Sequence, residues 1–310
     1  MTSINVDGHE IEVTNTDKIL FRDAGITKGE LIQYYQGIAG TILPHLAGRP
    51  ISMERFPDGI DDEGFYQKEA PKYFPEWIHR AEIDLVEGAS QDQVVCDSAG
   101  TQVFLADQGC ITPHTWLSRE GSLDCPDKLI IDLDPPGNEF EPVREAAFLV
   151  KDLLKEIGLS PHVMTTGSRG LHVIVPIKPV LSFDRVREIA MEMAGILEKR
   201  YPDKLTAEIR KEKRKGRLFL DVLRNAYGRP RLPLTPYAPD QGRRLQHPSN
   251  GTSSRTKRLY QKVIPLLIYS AGSARKRIHG KIFFPIASRL RMQQTNSNEF
   301  RDLHVFPVEP

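Results

Sequence analysis

Two carboxylates stand two residues apart in an otherwise apolar run, Leu129-Ile130-Ile131-Asp132-Leu133-Asp134, which Pro135 and Pro136 close. Alternate side chains of a strand share a face, so Asp132 and Asp134 point the same way as Ile130, while Leu129, Ile131 and Leu133 point the other. Like charges side by side push one pKa upward, and the usual compensation is a divalent cation, which takes hard oxygen ligands. A bare D-x-D also describes a strand running out into a solvated Asp-Pro turn, so the surroundings must decide. Those surroundings suit phosphate. A third acid, Asp221, lies in Leu218-Phe219-Leu220-Asp221-Val222-Leu223, on the face opposite Leu220 and Val222. The turn Thr166-Gly167-Ser168-Arg169-Gly170 offers hydroxyls, backbone N–H groups and a guanidinium to phosphate oxygens, and His172 adds a donor. Just before the third acid, residues 210–217 carry six basic side chains in eight positions. That run reads either as a solvated loop or as a triphosphate or nucleic-acid contact.

The elements that must hold these residues follow from periodicity. After the acidic strand, Pro142 to Ile157 has helical spacing, with Val143, Phe148, Val150, Leu153, Leu154 and Ile157 inward and Gly158 as the stop. His162 to Thr166 and Leu171 to Ile177 read as short strands, and Asp184 to Lys199 as a helix capped by Ser182 or Asp184. With the strand at Leu218 the order is β-α-β-β-α-β, a split βαβ or ferredoxin-like unit. In the usual sheet of that unit the first strand lies between the third and the fourth. Asp132 and Asp134 are then flanked by His172 and Asp221, and three carboxylates can converge as two-metal phosphoryl transfer requires.

Upstream, Thr27-Lys28-Gly29-Glu30 has capping-box form and begins a helix continued by Leu31, Tyr34, Tyr35, Ile38 and Ile42. Lys28 in a first helical turn opposes the dipole, unless it and the unsatisfied N–H groups hold an anion such as phosphate. Pro50 to Phe56 reads as a strand. Phe65 and Tyr66, beside Lys68, are either core or a platform that stacks a base and holds its phosphate. Ser98 can cap a short helix ending near Gly109, and an apolar stretch from Ile111 to Leu117 contains a single histidine, His114.

The 310 residues suffice for two modules, and 39% apolar with 27% charged content describes an ordinary globular protein. A formal net charge of +1 leaves any nucleic-acid affinity to local clustering. Cys96, Cys110 and Cys125 lack C-x-x-C spacing, which argues against a zinc site or a disulfide scaffold and fits a reducing cytoplasm. With no apolar leader and no run long enough to span a bilayer, the expectation is a cytoplasmic protein, nucleoid-associated when bound to DNA.

Taken in order, the motifs resemble the polymerase domain of bacterial ligase D and its stand-alone relatives, within the archaeo-eukaryotic primase superfamily. The resemblance runs from about Val13 to Gly228. It rests on Asn15-Thr16-Asp17-Lys18-Ile19-Leu20-Phe21 with Gly25-Ile26-Thr27-Lys28, on Gly64-Phe65-Tyr66-Gln67-Lys68, and on Gly109-Cys110-Ile111 with His114 and Trp116-Leu117-Ser118-Arg119. It continues through Ile131-Asp132-Leu133-Asp134-Pro135, Thr166-Gly167-Ser168-Arg169-Gly170-Leu171-His172 and Gly216-Arg217-Leu218-Phe219-Leu220-Asp221 with Leu223-Arg224-Asn225. The implied fold is α+β and primase-like, with an N-terminal α/β module (1–110) on a ferredoxin/RRM-like catalytic module (111–228). The resemblance implies that Asp132, Asp134 and Asp221 are the metal-binding catalytic triad, and that Thr166, in place of a more usual serine, and His172 form a nucleotide-binding motif with Ser168 and Arg169. It further implies that Arg214 and His114 contact phosphates of the incoming nucleotide. Lys18 and Lys28 match a pair gripping the 5′-phosphate of a gap or broken end, and Phe65 and Tyr66 match a stacking pair, beside Lys68. The implied activity is addition of an NTP or dNTP, ribonucleotides preferred, to DNA ends or gaps with Mn²⁺ or Mg²⁺. Implied partners are Ku and a DNA ligase. A de novo primase and a non-catalytic DNA-end-binding relative are the alternatives.

The resemblance stops after Gly228. Family members continue with a strand of the type T-A-V-A-P-Y-x-L-R and later D-P-W, whereas this chain reads Arg229-Pro230-Arg231-Leu232-Pro233-Leu234-Thr235-Pro236-Tyr237. Permissible codons for Arg229 to Ser254 can be chosen so that, read after omitting the first two bases, they encode such a strand. The same offset over Val263 to Phe283 yields a segment containing D-P-W. Residues 229–310 are therefore expected to be a frame-shifted, poorly ordered tail, a genuinely divergent tail being the alternative.

Overall fold

A computed structural model of the chain describes residues 2–85, 88–166, 169–228 and 304–305. The described residues fall into two compact units, 2–123 and 124–228, the second with 304–305. In the first unit, β1 (Thr2–Val6) and β2 (His9–Val13) form a hairpin. A second pairing joins β3 (Ile19–Phe21) to β4 (Ile26–Thr27) and leads directly into helix α1 (Lys28–Leu46). Thr27 caps α1 in a full capping box with Glu30, as the spacing predicts. The strands β5 (Ile51–Arg55), β6 (Phe65–Gln67) and β9 (Cys110–Thr115) make a three-stranded antiparallel sheet in the order β6-β5-β9. Between them come the hairpin β7 (Arg80–Asp84) and β8 (Ser90–Val94), then helix α2 (Ala99–Asp107), capped by Ser98. The boundary expected after residue 110 falls instead after Leu123, because β9 hydrogen-bonds to β5 and so belongs with the first unit. Burial pushes the Cys110 thiol up to about 12, so it packs as an inert apolar group.

The second unit is built on β10 (Lys128–Asp134), α3 (Glu141–Glu156), β11 (His162–Thr165), β12 (Leu171–Pro176), α4 (Phe183–Arg200), β13 (Leu205–Thr206), β14 (Leu218–Asp221) and β15 (His304–Val305). Its sheet runs β13-β14-β10-β12-β11-β15, so β10 lies between β12 and β14 as the β-α-β-β-α-β order predicts. Leu129, Ile131 and Leu133 of β10 are fully buried in one cluster with Val143, Ala147, Val150 and Leu154 of α3 and Val186, Ile189, Ala190 and Met193 of α4. Both helices thus cover one face of the sheet, and Asp132 and Asp134 lie on the other. Phe148, expected inward, is only partly buried, and its ring carries the cations of Arg144 and Lys151 at 5.9 and 5.2 Å. The expected frame-shifted tail lies outside the described residues, apart from β15, which pairs in parallel with β11.

Candidate active site and candidate phosphate cavity

Register alone brings the acids together. Asp132 is the partner of His172 across β10–β12 and of Asp221 across β10–β14, and Asp134 stands opposite Phe219. The end of β14 is fastened by a residue that sequence reasoning gave no role, the fully buried Asn225. Its amide donates to the carbonyls of Ile130 (2.7 Å) and Val222 (2.9 Å) and accepts from the N–H of Ile130 at 2.8 Å. The side chain thereby continues the ladder one step past the strand. On the β12 side, Gly170 lies close against β10, where an added Cβ would lie 2.7 Å from the Leu133 carbonyl.

Electrostatics distinguishes the three acids. Burial opposes the charge of Asp132, yet His172 and Arg224 outweigh it and hold this carboxyl below the ordinary range. Arg224 Nε donates to Asp132 Oδ2 at 2.7 Å, and His172 Nε2 lies 3.4 Å from the same oxygen. Burial lifts the Asp221 carboxyl, the N–H of Leu223 opposes the lift, and the charge of Asp132 adds to it. Asp134 receives Arg214 Nη1 at 2.9 Å, and the Arg214 guanidinium lies 3.7 Å over the ring of Phe219. Arg214 also donates to the carbonyls of Glu208 and Ile209, so the basic run is folded around its own backbone and onto an acid.

Two of the three expected metal ligands are therefore engaged by guanidinium groups. Among the described residues, no three His, Cys, Asp or Glu side chains converge closely enough to hold a metal ion. The expected convergence holds for strand positions but not for carboxylate groups, because Arg214 and Arg224 satisfy the acids. The donor set still suits a hard divalent cation, with three carboxylates on adjacent strand positions and two of them already drawing a positive charge onto themselves. His172 is a second mark of an absent partner. It is 8% exposed; Nε2 faces Asp132 Oδ2 at 3.4 Å, longer than a well-formed hydrogen bond, and Nδ1 has no hydrogen-bond partner among the described residues. Such orphaned buried donors are rare and are usually satisfied by something that binds. Thr166 Oγ1 donates to the Gly170 carbonyl, Arg169 donates to Asn138, and Ser168 lies outside the described residues.

The remaining candidates sit in the first unit. A cavity of ≈ 240 Å³ is lined by Thr14, Asn15, Lys18, Lys28, Arg55 and Gln108 among others. The β3–β4 pairing brings the two lysines together, and the N–H of Lys28 donates to the Lys18 carbonyl at 2.8 Å. The expectation that free N–H groups of α1 hold an anion is not met. Those of Lys28, Gly29 and Glu30 go to the Lys18 carbonyl, the Thr16 carbonyl and the Thr27 hydroxyl. Lys28 is no surface lysine either, since its ammonium is buried against Asp107 Oδ1 at 2.7 Å. Phe65 and Tyr66 are 45% and 40% exposed, which excludes the core reading, and Lys68 is exposed. His114 Nε2 lies 2.7 Å from Glu54 Oε2, and Tyr66 donates to the other oxygen of Glu54 at 2.5 Å. Glu54 had no sequence signal, because its partners come from the two neighbouring strands.

The LigD primase-polymerase domain family model matches residues 27–239 of this chain. The chain belongs to that family. Membership makes it a DNA-directed nucleotidyltransferase domain of the primase-polymerase type, with an α+β fold. It is similar to the multifunctional non-homologous end joining protein LigD of Mycolicibacterium smegmatis, with 31% identity over 77% of this chain and 31% of that protein. The bifunctional LigD of Bacillus subtilis is 28% identical over 71% of this chain and 35% of its own length. This LigD-family chain thus spans about a third of the curated relatives it matches. Among solved structures it resembles the polymerase domain of Mycobacterium tuberculosis ligase D in complex with DNA. The TM-score is 0.66 at 32% identity, covering 70% of this chain and 79% of that one.

Proposed function

We propose that this chain adds nucleotides, ribonucleotides in preference, to 5′-phosphorylated DNA gaps and ends during end-joining repair, using Asp132, Asp134 and Asp221 as ligands for divalent cations, manganese favoured. The observation that carries this reading is the register that sets Asp132 between His172 and Asp221 on the face of the sheet opposite α3 and α4. A divalent cation on these carboxylates would neutralise triphosphate oxygens and lower the pKa of the attacking hydroxyl. The chain's own part is positioning. A ring N–H of His172, the hydroxyls of Thr166 and Ser168, and the guanidinium groups of Arg169 and Arg214 supply donors to the triphosphate, while His114 adds a phosphate contact. Arg214 is held over Phe219, which would keep its charge beside the acids were Asp134 to bind a cation. Lys18, Lys28, Phe65, Tyr66 and Lys68 serve the DNA end. Ku and a DNA ligase are the proposed partners, the relatives being named for end joining.

The test is nucleotide addition to a gapped, 5′-phosphorylated duplex in the presence of manganese. Addition that needs the primer and favours ribonucleotides supports the reading. Addition without a primer would make the chain a de novo primase. Tight binding to 5′-phosphate ends with no addition at any metal concentration would make it a non-catalytic end-binding protein.

A further inference from the structure

The first unit's cavity raises a question of charge. Three cations line it, Lys18, Lys28 and Arg55, and two of them already face a carboxylate. Lys28 is buried against Asp107, and Lys18 Nζ lies 2.6 Å from Asp58 Oδ1. The N–H groups at the start of α1 are spent on backbone and cap acceptors. Arg55 is different. It is 9% exposed, yet every partner of its guanidinium is neutral: the Gln108 carbonyl (2.8 Å), Gln67 Oε1 (2.6 Å), the Tyr73 hydroxyl (3.1 Å) and Gln108 Oε1 (3.4 Å). Among the described residues no carboxylate lies within ion-pair distance of it. Buried charges are ordinarily paired, because desolvation costs several kcal/mol per ion. Here the neutral dipoles, with the C-terminal end of α2 behind Gln108, fix the orientation of the guanidinium and leave its charge unanswered.

We infer that Arg55 is the cation that discriminates a phosphate monoester in this cavity, and that Tyr73 holds it in place. The inference rests on the DNA-end reading above and adds to it a residue that this reading does not use. These contacts leave one Nη2 N–H and an uncompensated positive charge for a phosphate, whereas the charge of each ammonium is already answered by a carboxylate. The placement also links the cavity to the aromatic platform. Arg55 is the cross-strand partner of Phe65 and lies 5.4 Å from its ring, and Tyr73, 64% exposed, meets Arg55 through its hydroxyl. One side chain therefore joins the groups for the phosphate to the rings for the adjoining base. If Arg55 served only as a cap for α2, its charge would not distinguish phosphorylated from unphosphorylated DNA.

The experiment compares binding of full-length protein to one gapped duplex carrying either a 5′-phosphate or a 5′-hydroxyl, by fluorescence anisotropy. Wild type is expected to prefer the phosphate. Arg55→Gln is expected to reduce that preference about tenfold, as loss of a charge-assisted contact does, and Arg55→Lys to retain part of it. Tyr73→Phe removes only the hydroxyl of an exposed ring. It is expected to keep the melting temperature and lower the preference about two- to threefold, which decides the matter even if Arg55→Gln does not fold. Unchanged preference in Arg55→Lys and Tyr73→Phe, and in any folded Arg55→Gln, would overturn the inference while leaving the end-binding reading intact. Absence of any phosphate preference in wild type would overturn both.

Discussion

Asp132 and Asp221 face each other on neighbouring strands, yet their surroundings move their carboxyls in opposite directions. For Asp221 the folded-state pKa lies above the ordinary value, so the folded protein binds that proton more tightly than the unfolded chain does. Its stability then falls as pH rises through the window between the two values. For Asp132 the folded value is the lower one, and its contribution is present above the ordinary carboxylate pKa and lost as pH falls through the lowered value. Asp221→Asn should therefore raise the melting temperature at neutral pH in chelator, because it removes a buried charge while an amide oxygen can still accept from the N–H of Leu223. Added manganese should stabilise wild type but not this variant, and calorimetry with and without the metal reads both effects. A lower melting temperature for the variant in chelator would mean that the buried carboxylate is already compensated. Arg224→Gln should have the complementary effect, lifting the carboxyl of Asp132 by removing the contact at Asp132 Oδ2; NMR titration of the carboxyl reads it.

At the scale of elements, the acidic face of β10 is legible because strand period, the closing prolines and the apolar pattern of Leu129, Ile131 and Leu133 agree. The capping box at Thr27 and the helices α3 and α4 are legible for the same reason. What fastens those elements is not legible. Asn225 reaches the backbone of Ile130 across the chain, and Arg224, one residue earlier, reaches Asp132. Glu54 and Arg55 have meaning only through partners on other strands and helices. No local periodicity encodes such pairs, and burial of Lys28 against Asp107 reverses what its position at a helix start suggests. Asn225→Ala should cost about 2–4 kcal/mol, since it leaves the N–H and carbonyl of Ile130 without these partners in a buried setting. Denaturant unfolding measures it. Gly170→Ala should push the turn off β10, given the 2.7 Å approach to the Leu133 carbonyl. It should weaken nucleotide binding more than it weakens binding of a DNA end, and equal losses would place the turn outside the nucleotide site.

For the molecule as a whole, a formal net charge of +1 means that affinity for DNA must come from local groups rather than from the overall field. The expectation from the motifs is an end at Gly228, but the family match runs on to residue 239, so the expected departure does not begin at Gly228. The reading-frame account of that departure predicts that resequencing the gene across the Gly228 codon finds a single-base change restoring A-P-Y-A-L-R and D-P-W, and an intact frame contradicts it. The central claim, a metal-dependent nucleotidyl transfer site on Asp132, Asp134 and Asp221, is tested most directly by one number. This is the rate of single-ribonucleotide addition to a gapped, 5′-phosphorylated duplex with manganese, compared between wild type, Asp132→Ala and Asp221→Ala. Losing charge stabilisation worth several kcal/mol should slow each variant by about a thousandfold or more. Equal rates for wild type and both variants would contradict the account.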